Sequence, residues 1–237
     1  MPVQWTTFPM EFKGGLISNL TPLQQGTNAI GSATILQNFE SDREGGYSKL
    51  KGYSKFSATE VPGTGEVLAM KVVSTGRVVV ARKIDAAAIS AYGTIASGDL
   101  NKTAYYHGTG TTWAHVGTSS STNTLKARYA SFNFTQEDKT IFVDSKSYPI
   151  IFNASGSTTT QLSSSNSTDV QGAENVAVFK NHAFYSKGSK IFFTAPNTVD
   201  DFATGNGAGT INVGFDVTGM IGFREQLIIF TTDTIKK

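Results

Sequence analysis

The chain has 237 residues, a formal net charge of +2, 16% charged residues and no cysteine. This length allows one large all-β domain or a small module beside a larger one. The absence of cysteine excludes disulfides and thiolate metal sites. The near-neutral charge gives no electrostatic signature of a surface for nucleic acid or anionic membrane.

The beginning of the chain has neither the pattern of a secretory signal nor a membrane span. No cationic start precedes an apolar core, and no apolar run approaches the roughly 18 residues that a span needs. Residues 12–56 are rich in apolar, glycine and proline residues but show no helical or strand period. We therefore interpret residues 1–60 as an irregular docking arm that packs on the rest of the molecule or on a neighbour.

The body, residues 61–237, begins with strands. Residues 67–73 and 77–82 are β-branched runs separated by Ser-Thr-Gly, which predicts a hairpin. Residues 102–107 and 112–116 form a second predicted pair around a glycine-containing turn. The glycines and the many Ser and Thr residues between such runs are typical of short strands joined by turns.

Three further blocks repeat this scheme. Each begins with two short apolar runs joined by a polar turn, and the turns are predicted at 136–138, 180–182 and 224–226. Further strands are predicted at 127–134, 139–143, 148–152, 175–179, 183–186, 190–194, 220–223 and 227–231. A Ser/Thr tract at 155–168 and an irregular stretch at 196–209 interrupt the scheme. The last block supplies a single hairpin.

The blocks indicate an internal repeat. Phe179 and Phe223 each stand directly before a polar turn, about 44 residues apart, and Phe134 precedes them by a similar step. A period of roughly 40 to 45 residues with four short strands is the signature of β-propeller blades. The alternative is a β-sandwich, whose strands recur at similar spacing. Because the last blade is incomplete, we expect the chain to be part of a longer polypeptide.

Histidines give no metal site in the sequence. His107 and His115 flank a turn and could meet across a hairpin, but no carboxylate or cysteine stands at ligand spacing around them. His182 falls in a predicted turn and is expected to be a solvated residue. We therefore expect neither a metal nor a cofactor.

Acidic residues give no firm catalytic pair. Candidates are Asp144, Asp200, Asp201 and Asp216. Asp200 and Asp201 are adjacent, and adjacent side chains of an extended chain point to opposite sides. We therefore expect them to cap loop backbone. The glycine-rich segments at 108–113 and 205–209 lack a following helix, which indicates turns rather than phosphate-binding loops.

The arm carries a pattern of spaced residues that resembles a known family. The pattern runs through Phe12, Gly14, Gly15, Leu16, Leu20, Pro22, Leu23, Leu36, Asn38, Phe39, Gly46, Tyr47, Gly52, Tyr53 and Phe56. It resembles the opening of tail tubular protein B, the nozzle protein family of short-tailed bacteriophages. Residues 196–230 also look like the passage between two blades of that family.

This resemblance implies a virion structural protein with a propeller-rich body. It would form a ring of typically six copies around the DNA channel, joined to the adaptor (head-tail connector) and other tail proteins. The family has no catalytic residues, so no enzyme is expected. Genomic DNA would be only passing cargo, and the chain would be made in the host cytoplasm and reside in the virion tail. Two alternatives remain open: a receptor- or carbohydrate-binding tail propeller, and a propeller hydrolase.

Overall fold

The computed structural model describes residues 15–17, 31–33, 35–41, 46–73, 76–122, 126–155 and 157–237. The chain divides into two compact units, Met1–Lys55 and Phe56–Lys237. No helix among these described residues is long and apolar enough to cross a membrane.

The first unit contains short paired segments in its described part. Strand β1 (Phe39–Ser41) runs antiparallel to β2 (Tyr47–Lys49). Leu16 and Ala33 form a parallel bridge, in which the Ala33 N–H donates to the Gly15 carbonyl at 2.9 Å. These pairings are too short to bury a core of their own.

The second unit is a series of antiparallel meanders, which we call blades 1 to 4. Their strands are, in chain order, β3 (Val67–Val72), β4 (Val78–Lys83), β5 (Lys102–Gly108), β6 (Trp113–Thr122), β7 (Arg128–Phe134), β8 (Glu137–Val143), β9 (Ile150–Asn153), β10 (Thr158–Gln161), β11 (Asn175–Phe179), β12 (His182–Lys187), β13 (Lys190–Phe193), β14 (Gly209–Asn212), β15 (Val217–Phe223), β16 (Gln226–Thr231) and β17 (Ile235–Lys236). Blades 1 to 3 have four strands each, and blade 4 has three among the described residues.

This topology decides between the two predicted architectures. Each sheet is made of consecutive strands, and the first strands β7, β11 and β15 lie side by side. A sandwich would instead combine distant strands in two facing sheets. The all-β prediction with propeller-like blades is therefore confirmed.

Blades 2, 3 and 4 share one hairpin geometry between their first and second strands. In each case the two turn residues both have positive φ, as in Lys180 (45°) and Asn181 (65°). This is the type I′ turn, whose twist matches that of the flanking strands. The residue after the turn is already paired, as His182 is with Phe179. The predicted turns at 180–182 and 224–226 thus extend one residue too far. The predicted turn at 136–138 begins one residue late and extends two residues into β8.

Within the second unit, three strands lie where the sequence predicted none. They are β10 inside the Ser/Thr tract, β14 at the end of the irregular stretch, and β17 after the last predicted hairpin. Blade 4 consequently holds three strands instead of a single hairpin. All three missed strands are short and pair with a stronger strand beside them, so neighbouring structure rather than their own propensity specifies them.

The core of this unit lies between successive blades. One apolar cluster joins blades 1 and 2, a second joins blades 2 and 3, and a third joins blades 3 and 4. Their most buried members include, respectively, Tyr105, Phe142 and Phe152; Phe134, Ile141 and Tyr185; and Ile191, Val217 and Ile229. Each blade is therefore stabilised mainly by the faces of its neighbours.

The face of blade 1 that points away from blade 2 is partly covered by local chain, while Met70 (60%) and Val72 (59%) remain exposed on it. Helix α1 (Ala86–Ala91) follows β4 and buries Ala88 against Ile84 and Tyr106. Asp85 caps α1 by accepting from the Ala88 N–H at 2.8 Å, and it also accepts from the Thr64 N–H at 2.6 Å. Desolvation would raise the pKa of Asp85, but a hydrogen bond from the Thr64 hydroxyl, together with these two backbone ones, outweighs it and lowers the pKa to about 2.

Candidate functional site

A cavity of about 580 Å³ opens where the first strands of the blades begin. Blade 1 contributes Leu68, blade 2 Arg128, blade 3 Glu174 and Asn175, and blade 4 Thr218. The Arg128 guanidinium donates to the Thr218 carbonyl at 2.8 Å and so links blade 2 to blade 4. Because strand starts converge here, the cavity gathers side chains that lie far apart in the sequence.

Asn175 is the buried polar residue of this cavity, with 3% of its surface exposed. Its amide nitrogen donates to the Ser186 hydroxyl at 2.8 Å and to the Val217 carbonyl at 3.0 Å. Its Oδ1 finds no hydrogen-bond partner among the described residues. Asn175 therefore ties blade 3 to blade 4 through the Val217 carbonyl, and its Oδ1 is itself buried.

Asp144, a predicted acidic candidate, serves the turn after β8. Its Oδ1 accepts from the N–H groups of Lys146 (3.0 Å) and Ser147 (2.6 Å). Its Oδ2 is buried without a partner among the described residues. Burial and then the Asp144 charge raise the pKa of Tyr105. Asp144 therefore holds local backbone.

The other acidic candidates lie away from the cavity. Asp201 accepts from the Ala203 N–H at 2.9 Å and from the Asn206 amide at 2.7 Å, and these bonds lower its pKa. Asp200 is exposed beside it. The Asp216 carbonyl accepts from the Thr232 N–H at 2.9 Å. These residues do not meet one another as a catalytic pair in the cavity.

The histidines lie in separate environments. His107 packs against Phe152, with ring centroids 5.5 Å apart. The ring nitrogens of His115 form hydrogen bonds with the hydroxyls of Thr94 and Thr118, both at 3.0 Å. His115 pairs across the strands with Tyr106, the neighbour of His107, and adjacent strand residues point to opposite faces. The two histidine rings therefore lie on opposite faces of blade 1. Burial lowers the pKa of each imidazole. No group of three or more potential metal ligands of the His, Cys, Asp and Glu type occurs in the described ranges.

His182 differs from its prediction as a solvated turn residue. It is the first residue of β12, and its Nδ1 lies 2.5 Å from the Thr194 carbonyl. Its ring packs edge-on against Phe184 and Phe193. The two-residue turn places it inside the sheet, so the prediction was wrong.

Blade 4 carries an apolar face that no described residue covers fully. We call this the open face; its members are Ile221, Phe223, Ile228, Phe230 and Ile235. Cross-strand pairing of Ile221 with Ile228 and of Phe230 with Ile235 places them on one side, opposite Val217 and Ile229. Ile221 is 53% exposed, Phe223 55% and Ile235 66%.

The same positions are covered in blade 2. Counted from the hairpin turn, Phe223 corresponds to Phe134 and Phe230 to Ile141. Phe134 and Ile141 are buried against blade 3. The open face therefore corresponds to the face of blade 2 that packs against the next blade. Exposed apolar patches of this kind mark interaction surfaces.

The predicted docking residues of the arm are only partly described. Phe12, Gly14, Leu20, Pro22 and Leu23 lie outside the described residues. The remaining ones are placed as follows: Gly15 and Leu16 at the parallel bridge, Asn38 and Phe39 at the start of β1, Tyr47 in β2, Gly52 and Tyr53 after it, and Phe56 in the second unit. Tyr53 is 98% exposed, and Phe56 packs on Trp113 at 6.1 Å. Their docking role stays a prediction.

Comparison with known proteins returns a fold likeness. No model of a protein family and no curated protein matches the chain. A solved structure of a gluconolactonase from Xanthomonas campestris is similar, with 11% sequence identity and a TM-score of 0.42. The match covers 81% of this chain and 61% of that structure.

This comparison corrects one prediction. The sequence led us to expect that the chain is not an enzyme, whereas the solved structure that resembles it is that of an enzyme. At that TM-score the likeness carries no argument about substrate or mechanism. What is established is therefore the fold, a propeller-like all-β architecture.

Proposed function

We propose that this chain is a structural component of the tail of a short-tailed bacteriophage, of the nozzle type. The open face of blade 4 carries the proposal. Exposed apolar patches of this kind mark surfaces that pack against a further protein layer, and a neighbouring copy in an assembly can supply that layer. The arm pattern from Gly15 to Phe56 supports the same role by its resemblance to tail tubular proteins.

The proposal concerns assembly into a ring beside the adaptor and the other tail proteins. A heterologous contact between copies closes into a ring when the rotation between them divides a full turn. The low charge of the chain is compatible with a conduit through which DNA passes, because many Lys and Arg contacts would retain it.

Deletion of residues 1–55 tests the role of the arm. We expect the truncated chain, Phe56–Lys237, to stay folded because it is a compact unit with its own core. We expect it to lose ring formation, which mass photometry of the purified protein measures directly. A circular-dichroism melt is the control for folding. Rings formed by the truncated chain as readily as by the full chain would contradict the arm's role.

Hydrolase activity is the second candidate, and the cavity at the strand starts favours it. Glu174 could act there as a general base, and the Arg128 guanidinium could stabilise a developing negative charge. Replacement of Glu174 by Gln keeps the shape of the side chain and removes the base. If the purified chain hydrolyses small esters or lactones, we expect Glu174→Gln to lower kcat by about 10²-fold or more. An unchanged kcat would exclude Glu174 as the base.

A further inference from the structure

His107 is a buried titratable side chain at the junction of blades 1 and 2, and neither candidate function uses it. It lies in β5 with 4% of its surface exposed. Its cross-strand partner Val79 and its strand neighbour Tyr105 belong to the cluster that joins the two blades, so the His107 ring faces blade 2. There it packs against Phe152 of β9, with ring centroids 5.5 Å apart.

The surroundings of His107 favour the neutral ring. Its Nε2 atom is buried and finds no hydrogen-bond partner among the described residues. A neutral imidazole carries one N–H, whereas a protonated imidazole carries an N–H on both nitrogens. Protonation would therefore leave a charge in apolar surroundings with an N–H unpaired, which is unfavourable. A cation–π contact with the Phe152 ring offsets only part of that loss.

Fixed charges at the junction act in the same direction. By strand alternation, the charged or titratable side chains of blade 1 that face the junction are Lys71, Arg77, Lys83 and Tyr105. Those of blade 2 are Tyr129, Asp138 and Asp144. Burial lowers the pKa of His107, and the Arg77 guanidinium lowers that pKa further. Within the described part of the chain, no carboxylate opposes this shift.

The Arg77 guanidinium is held at this junction by blade 2. It donates to the Ser157 hydroxyl at 2.7 Å, so it cannot move away from the imidazole without breaking a contact between the blades. A second hydrogen bond crosses the junction nearby, from the Thr159 hydroxyl of β10 to the Val116 carbonyl of β6. The positive charge of Arg77 is therefore fixed for as long as the junction stays closed.

We propose that His107 makes the junction of blades 1 and 2 acid-sensitive, so that it opens at low pH before the junction of blades 2 and 3, whose cluster contains no histidine. In the open form, water surrounds the imidazole, which takes up a proton with the usual pKa of about 6.5. As the pH falls below that value, the open form binds more protons than the closed form, so the closed junction loses stability. At about pH 7.5 and above, both forms are largely neutral and the closed junction keeps its full stability.

Single cysteines in the full chain, which contains none of its own, locate the opening. Ala154→Cys places a thiol in the cluster between blades 1 and 2, where Ala154 is 5% exposed. Ala183→Cys is the matched control in the cluster between blades 2 and 3, where Ala183 is 0% exposed. The probe is dithiodipyridine, which reacts with thiols in acid as well as at neutral pH. Its rate with the folded protein is divided by its rate in urea at the same pH, which cancels the ionisation of the thiol.

Acid should raise this rate ratio at position 154 and not at position 183. Between about pH 7.5 and about pH 5 we expect a rise of at least about fivefold at position 154, and complete exclusion of the proton from the closed form would give about thirtyfold. The ratio at position 183 should change by less than about twofold, because that cluster holds no group that takes up a proton in this range.

Replacement of His107 identifies the group responsible. His107→Gln keeps a polar side chain but cannot take up a proton, so the rise at position 154 should shrink to less than about twofold. A urea melt at about pH 7.5 is the control for folding of each variant. In wild-type protein, the assigned imidazole NMR resonance of His107 should titrate at a lower pH than in the unfolded chain, a measurement that does not depend on any variant.

Three results would overturn the acid-sensitive junction. An equal rise at positions 154 and 183 would show that acid unfolds the chain as a whole. An unchanged rise in His107→Gln would show that another group responds to acid. A His107 resonance that titrates at the pH of the unfolded chain would show that the closed junction does not exclude the proton. None of these measurements depends on ring formation, so they leave the proposed function to its own tests.

Discussion

Phe152→Ala is expected to lower the free energy of unfolding by about 3–5 kcal/mol, the usual cost of removing a buried phenylalanine ring. Phe152 lies in β9 with none of its side chain exposed, within the cluster that joins blades 1 and 2. It also packs against the His107 ring. Because total stability is typically about 5–15 kcal/mol, this loss is a large fraction of it.

Urea denaturation of purified protein measures this effect, and the chain provides a matched control. Phe223→Ala removes the same atoms from the open face, where the ring is 55% exposed. We expect the free energy of unfolding of that variant to change by less than about 1 kcal/mol. Equal losses for Phe152→Ala and Phe223→Ala would contradict a core that lies between the blades.

Ile221→Asp is expected to weaken assembly of the chain by at least about a hundredfold in Kd. Ile221 lies on the open face with about half of its side chain exposed, so the change should not unfold the free chain. In an assembly that buries this face, the new carboxylate would be removed from water without a partner, which is strongly unfavourable.

Sedimentation over a range of protein concentrations measures that loss. Thr160→Asp is the control, because it places the same charge on an exposed strand position of blade 2. We expect the control to assemble like wild type. Assembly of Ile221→Asp at the wild-type concentration would show that the open face is not the contact between copies.

The blade repeat could be predicted because its first strands carry strong local signals. Phe134, Phe179 and Phe223 each precede a polar hairpin turn, and each third strand of blades 1 to 3 is an apolar run. Local turn chemistry and β-branched or aromatic residues specify such hairpins without help from distant residues.

Strand β10, which the sequence did not predict, and helix α1, for which it indicated at most one helical turn, both depend on tertiary contacts. Strand β10 is composed of threonines and a glutamine and is ordered by pairing with β9. Helix α1 has six residues, too few for intrinsic stability, and is held by the Asp85 cap and by packing of Ala88. In both cases the residues of the element itself stabilise it too little, and contacts with the rest of the fold supply the remaining stability.

The candidate sites were missed for a related reason. The cavity is lined by Arg128, Glu174 and Thr218 from three different blades. Their spacing in the sequence does not predict that they lie close together. On β15 and β16 both faces are apolar, so alternation alone cannot tell which face packs on blade 3 and which stays open. The exposure of Ile221 and Phe223 supplies that distinction.

Cryo-electron microscopy of purified phage tails that contain this protein is the most direct test of the proposed role. We expect a ring of copies of this chain around the DNA channel, with Ile221 and Phe223 of blade 4 buried against a neighbouring chain. A tail without this protein, or a ring in which the open face of every copy remains exposed to solvent, would contradict it.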